Sequence, residues 1–207
     1  MGQNDFSARF QLYLPLHNRG MRKKGKVLFN QAQLMRTIDR LCYQIIERHE
    51  DFDNLCLVGI QTKGADLAMR IHRRLAELKG SSPRFFGKLD ITFFRDDFRK
   101  DNRILQAQET EMDFLIEERQ VILVDDVLYT GRTIQAALQA LSNFGRPASI
   151  ELMVLIDRRF NRHLPIQANY SGLRVDAIQD AYVKVELQEI EGEDRVIFFD
   201  SEKNSND

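Results

Sequence analysis

Three short segments that are apolar almost throughout constrain this chain more than any other feature. LCLVGI (55–60) runs into ADLAMRIHRRLAELKG (65–80), QVILVDD (120–126) runs into TIQAALQALSNFG (133–145), and SIELMVLI (149–156) follows. A strand that is apolar on both faces belongs inside a parallel sheet, where helices cover it from each side. Strands alternating with helices at this spacing imply right-handed βαβ crossovers and an α/β fold. KLDITFF (88–94) reads as a further strand. Leu34, Ile38, Leu41 and Ile45 repeat at helical spacing, so a first helix is expected from Asn30 to about His49, with Asn30 as N-cap and Gln33 completing a capping box. Gly80 and Gly145 are placed to close the next two helices.

At 207 residues the chain suits one domain with a small appendage. Residues 1–25 have no clean period and lead into a basic cluster, RGMRKKGK, read as a solvated arm. They form an N-terminal extension to a domain at 26–207. Its core is expected over about 26–157, and a hood with terminal strands over about 158–200, because DRRFNRHLPIQANYSG is turn-rich and AYVKVELQEI (181–190) and RVIFF (195–199) look like short strands. RDDFRKDNR (95–103) is too charged to bury and reads as a long loop of the functional kind.

Thirty Lys and Arg stand against 31 Asp and Glu, so any nucleic-acid surface must be a local patch. Cys42 and Cys56 lie in apolar segments without metal-ligand spacing, and His17, His49, His72 and His163 fit no metal or triad pattern. No apolar run reaches the roughly 20 residues of a membrane span, and the N-terminus has no signal-peptide core. A soluble protein of the reducing cytoplasm is expected.

The chemistry concentrates in VILVDDVLYTGRT (121–133). Thr130, Gly131, Arg132 and Thr133 straddle a loop-to-helix junction, where free backbone N–H groups and the helix dipole favour a phosphate. Asp125 and Asp126 would repel that phosphate. They suit a sugar diol, which donates two hydrogen bonds, or a magnesium ion. A ligand with a phosphate at one end and ribose hydroxyls beside it satisfies both halves, which points to a ribose 5-phosphate. No GxxxxGK[ST] loop exists in the chain, and no GxGxxG follows the first strand.

These residues resemble a known family. VILVDDVLYTGRT is similar to the 5-phosphoribosyl-1-pyrophosphate (PRPP) motif of type I phosphoribosyltransferases, and DDVLYTGRT looks most like the PyrR family of pyrimidine-operon attenuation regulators and uracil phosphoribosyltransferases. LVGIQTKG, LDITFFRDD and GRPASIELMVLIDRR match further segments in the same order, so the likeness runs from about Lys26 to Phe199. It implies a type I phosphoribosyltransferase fold, a Rossmann-like parallel sheet with helices on both faces plus a small C-terminal hood lobe. It implies synthesis of UMP and pyrophosphate from uracil and PRPP with Mg2+, in a homodimer, and UMP-dependent binding of an mRNA leader. A regulator with little enzymatic activity, or a transferase for another nucleobase, are the alternatives.

By the same resemblance Asp125 and Asp126 bind the ribose hydroxyls, and Val127, Leu128, Tyr129, Thr130, Gly131, Arg132 and Thr133 complete the PRPP site around the 5-phosphate. Gln61, Thr62, Lys63 and Gly64 form the pyrophosphate loop. Arg95, with Asp96 and Asp97, lies on a loop that closes over the site, and Arg95 and Asp126 are the catalytic candidates. Asp157 and Asp125 are candidate magnesium contacts, Val175 a base-pocket residue, and Arg146, Arg158, Arg159 and Arg162 a candidate RNA patch. Tyr129 stands where purine transferases commonly carry an Asp, which favours uracil. The chain departs from the family at Lys63, usually Arg, and in DRRFNRHLPI (157–166) and VDAIQDA (175–181). Asp39 and Tyr43 stand where the family uses a Thr and a His on its RNA-binding helix.

Overall fold

The computed structural model describes residues 25–95, 108–176 and 181–200. The basic arm, Asp96, Asp97 and most of the VDAIQDA segment therefore lie outside the described residues. The elements are β1 (Lys26–Phe29), α1 (Gln31–Arg48), β2 (Leu55–Ile60), α2 (Lys63–Lys79), β3 (Phe85–Leu89), β4 (Gln120–Leu128), α3 (Arg132–Leu141), β5 (Ser149–Arg158), β6 (Tyr170–Val175), β7 (Tyr182–Glu186), α4 (Gln188–Glu191) and β8 (Arg195–Phe199).

A five-stranded parallel sheet in the order β3-β2-β4-β5-β6 forms the centre. Alternate residues along β4 feed opposite faces. Ile122 and Val124 join Leu34, Ile38, Leu67 and Ile71 of α1 and α2 in one core, while Val121 and Leu123 join Ile134 and Ala137 of α3 in the other. Burial on both faces explains why these strands carry almost no polar residues. The Asn30 capping box is present, with both of its hydrogen bonds at 2.9 Å. Gly80 ends α2 in the left-handed conformation, φ 77°.

Three elements depart from the sequence pattern. KLDITFF is not one strand: β3 is shifted to Phe85–Leu89, and Thr92–Phe94 form a single 3-10 turn after Asp90, whose carboxylate takes the Thr92 N–H at 3.0 Å. Such an Asx contact competes with strand pairing. β6 emerges from the turn-rich stretch and joins the main sheet, so the core extends past residue 157. β1 joins instead the small antiparallel sheet β1-β8-β7, pairing with β8 from the far end of the chain. That lobe is fastened to α2 by Arg70, which donates to Glu189 at 2.8 Å and to Asp194 at 2.9 Å. Among the described residues no helix is long and apolar enough to cross a membrane.

Candidate active site

From β2 the chain passes to the outer strand β3, and it returns to β4 on the other side of β2. Neighbouring strands whose connections diverge leave a crevice at their C-terminal ends, the usual ligand position in such sheets. The 61–64 and 125–133 segments meet there.

β4 continues two residues past the expected end, to Leu128, so Asp125 and Asp126 lie within the strand. Asp125 Oδ1 accepts the Asp126 N–H and Asp126 Oδ1 accepts the Val127 N–H, each at 2.9 Å, which fixes both carboxylates against the backbone. Burial, then the neighbouring Asp126 charge, raises the Asp125 carboxyl well above the usual range, with Arg95 opposing. Burial also raises Asp126, offset chiefly by the Lys63 ammonium. A buried acid pair of this kind holds a proton more readily than exposed carboxylates and can exchange it with a ligand.

Two cavities of about 240 Å³ each adjoin the pair. One is lined by Arg95 and residues 127–134. The other is lined by Gln61, Asp90, Thr92, Asp125 and Asp126, and both share Arg95, Val127 and Thr133. Together they form one crevice with an anion-seeking end and an acidic end.

At the first end Gly131 caps α3 with φ 92°, and the first residues of the helix line the cavity, with the Arg132 N–H donating to Thr130 Oγ1 at 3.4 Å. A Cβ at Gly131 would come within 3.2 Å of the Ile166 side chain, so the hood lies directly against the cradle. The hood also grips Tyr129. Arg162 donates to the Tyr129 carbonyl and to Asp157 Oδ1, the latter at 2.6 Å, while the Arg158 guanidinium sits 3.8 Å over the Tyr129 ring.

The 61–64 loop approaches the acid pair from β2. Its Gln61–Thr62 peptide bond is cis. Gly64 is packed so tightly that a Cβ there would lie 2.5 Å from the Val124 carbonyl oxygen and 3.1 Å from Asp125 Cα, so only glycine lets α2 start beside the pair. The backbone of Thr62 to Gly64 opens α2, but the Lys63 side chain turns away. Its ammonium donates to the Val185 carbonyl and pairs with Glu191 at 2.8 Å.

Several expected residues lie elsewhere. Asp157 is buried in its ion pair with Arg162 and lines neither cavity. Val175 lines a separate cavity with Lys26, Leu28 and Phe198. Of the RNA candidates, Arg158 is 5% exposed and cannot form a surface patch, Arg162 is committed to Tyr129 and Asp157, and exposed Arg159 pairs with Asp176; Arg146 is exposed. Asp39 is ion-paired with Arg74 at 2.7 Å, and Tyr43 is exposed. The hood grip of Arg158 and Arg162 was not foreseen, since nothing in DRRFNR says which arginine turns inward. Asp90 was also missed, although its spacing to Thr92 is that of an Asx turn.

Among the described residues no group of three or more His, Cys, Asp and Glu could hold a metal by itself. Magnesium is commonly held by one or two carboxylates together with substrate phosphate oxygens, a role the Asp125–Asp126 pair fits.

Comparison with known proteins agrees with this geometry. A model of the phosphoribosyl transferase domain matches residues 25–190. The chain is 45% identical to the bifunctional protein PyrR of Deinococcus radiodurans over 84% of its length and 94% of that protein. It is 43% identical to the PyrR of Thermus aquaticus, over 88% and 99%. Among solved structures, a hypoxanthine phosphoribosyltransferase from Staphylococcus aureus shares the fold with a TM-score of 0.62 at 20% identity, covering 86% of this chain and 93% of that one. The Trypanosoma cruzi enzyme in complex with the product IMP gives 0.64 at 17%, covering 88% and 94%. With a domain match over most of its length and relatives this near, on a sheet of this order, the chain belongs to the PyrR family of phosphoribosyltransferases.

Proposed function

We propose that this protein transfers the phosphoribosyl group of PRPP to uracil, giving UMP and pyrophosphate, and that it couples this site to regulation of pyrimidine genes. The observation that carries the reading is the joining of the buried acid pair to a helix-start cradle in one crevice, with the 61–64 backbone beside it.

In this reading the N–H groups at the start of α3, with the Thr130 and Thr133 hydroxyls, hold the 5-phosphate. Asp125 and Asp126 accept from the ribose 2- and 3-hydroxyls, which also relieves the repulsion between the two acids. Backbone N–H groups of Thr62, Lys63 and Gly64 receive the pyrophosphate. Substitution at the anomeric carbon passes through a state with positive charge on the ribose and growing negative charge on the leaving group. The acid pair stabilises the first, and Arg95, at the junction of the two cavities, the second. Bound between the pair and substrate oxygens, Mg2+ would neutralise the diphosphate. Tyr129, held by the hood, offers no carboxylate to a purine N7, which favours uracil. A cytoplasmic homodimer completes the proposal.

A panel of nucleobases with PRPP and magnesium, read by pyrophosphate release, tests it. Release with uracil alone is expected; release with hypoxanthine or guanine but not uracil would overturn it. The regulatory half is favoured by the Asp39–Arg74 pair, which offsets one of the two acids of α1, the other being Glu47, that would repel RNA. Binding of a pyrimidine-operon leader RNA, strengthened by UMP, is expected.

A further inference from the structure

The acidic turn QEIEGED (188–194) of the small lobe docks on one face of α2, where Lys63 and Arg70 stand two turns apart. It captures both cations, but not equally. Arg70 takes Glu189 and Asp194, and the Arg70 and Asp194 side chains are only 14% and 3% exposed. Lys63 takes Glu191 at 2.8 Å with side chains 24% and 22% exposed. The first contact is an anchor, with a bidentate guanidinium and a buried acid. The second is a single contact between a flexible ammonium, which also donates to the Val185 carbonyl, and a partly buried carboxylate, a looser hold than the bidentate anchor.

Lys63 is also the first residue of α2, within the segment proposed to receive pyrophosphate. Its charge already reaches the site, since it is the chief influence favouring the ionised form of Asp126. A polyphosphate arriving at the 61–64 backbone would compete with Glu191 for the same ammonium.

We propose that Glu191 is a positioning residue that withholds the Lys63 ammonium from the pyrophosphate subsite, so that leaving-group affinity is set by competition between this carboxylate and the incoming anion. The inference rests on the reading of 61–64 as the pyrophosphate loop. Withholding the cation weakens product binding and speeds release, at the expense of some PRPP affinity. Glu191 Oε2 also accepts the Leu187 N–H at 2.9 Å, a bond that Gln can keep through its carbonyl oxygen, so Glu191→Gln removes the charge with little change to the turn.

The experiment is calorimetric titration of the full chain with magnesium pyrophosphate, alongside steady-state kinetics with uracil and PRPP. Glu191→Gln is expected to bind pyrophosphate about threefold to fivefold more tightly, with the PRPP KM and kcat falling together as release slows. Glu191→Asp should return towards the parent, and in a Lys63→Met background Glu191→Gln should change nothing. Unchanged or weaker pyrophosphate binding in Glu191→Gln, with an unaltered melting temperature, overturns the proposal, as does the same tightening in the Lys63→Met background. A lower melting temperature with weaker binding also overturns it, since the contact is then an ordinary support of the lobe. UMP formation without the tightening would leave the proposed transferase activity standing and remove the latch. The tightening without UMP formation would do the reverse.

Discussion

The two strand-end segments of this crevice do similar work by opposite means. After β4 the acids are committed to their own backbone before a ligand arrives, Tyr129 to Arg158 and Arg162, and Gly131 to the hood. After β2 the backbone is fixed by the tight seat of Gly64 and the Gln61 side chain donates to the Glu109 carbonyl, while the one cation is held elsewhere by Glu191 and the Val185 carbonyl. Under the proposed function the first is preorganised for a group retained throughout the reaction. The second is held back, as suits a group that must leave.

The sharpest way to break this comparison is at the acid pair. Asp126→Asn should reduce kcat/KM for UMP formation by about a hundredfold to a thousandfold, the size typical of a lost transition-state contact, without unfolding the protein. Its partner adds a pH signature. Because the folded state raises the Asp125 carboxyl, it binds that proton more readily than the unfolded chain does. The resulting stability is fully present below about pH 4 and is lost as pH rises through the folded value. Asp125→Asn should therefore raise the melting temperature relative to the parent at pH 8 and lose that advantage near pH 4.

Next in size are changes to the supports. Arg162→Ala leaves Asp157 buried without its cation and should cost about 3 kcal/mol in denaturant unfolding, with a raised PRPP KM. Gly64→Ala forces a Cβ against the β4 backbone and should cost about 2 kcal/mol or more, moving both segments at once. Gly131→Ala, strained by its positive φ, should cost about 1 kcal/mol and act mainly on PRPP affinity. The smallest effect belongs to the β2 side: Thr62 is exposed and makes no side-chain cap bond, so Thr62→Ala should change the PRPP KM less than about twofold.

Residues whose role follows from local chemistry were legible in the sequence. The strands show as unbroken apolar runs, the α1 cap as Asn30 with Gln33, and the loop-to-helix junction as TGRT opening a helix. What stayed hidden depends on partners remote in sequence. β1 lacks a distinctive pattern because its partner is β8, and β6 is a polar edge strand that only the sheet makes regular. DRRFNR does not reveal that Arg158 turns inward under Tyr129 while Arg159 stays at the surface. Lys63 reads as an anion ligand until Glu191, at the other end of the chain, is seen beside it. Nor does the sequence show that Asp157 is ion-paired with Arg162.

The central claim is that the β4 end holds the ribose phosphate and the β2 end holds the pyrophosphate. Calorimetric titration of the parent and Asp126→Asn with ribose 5-phosphate and, separately, with magnesium pyrophosphate tests it most directly. The structure predicts that Asp126→Asn loses ribose 5-phosphate affinity about tenfold while binding pyrophosphate at least as well as the parent. An equal loss for both ligands, or a loss for pyrophosphate alone, would contradict the assignment.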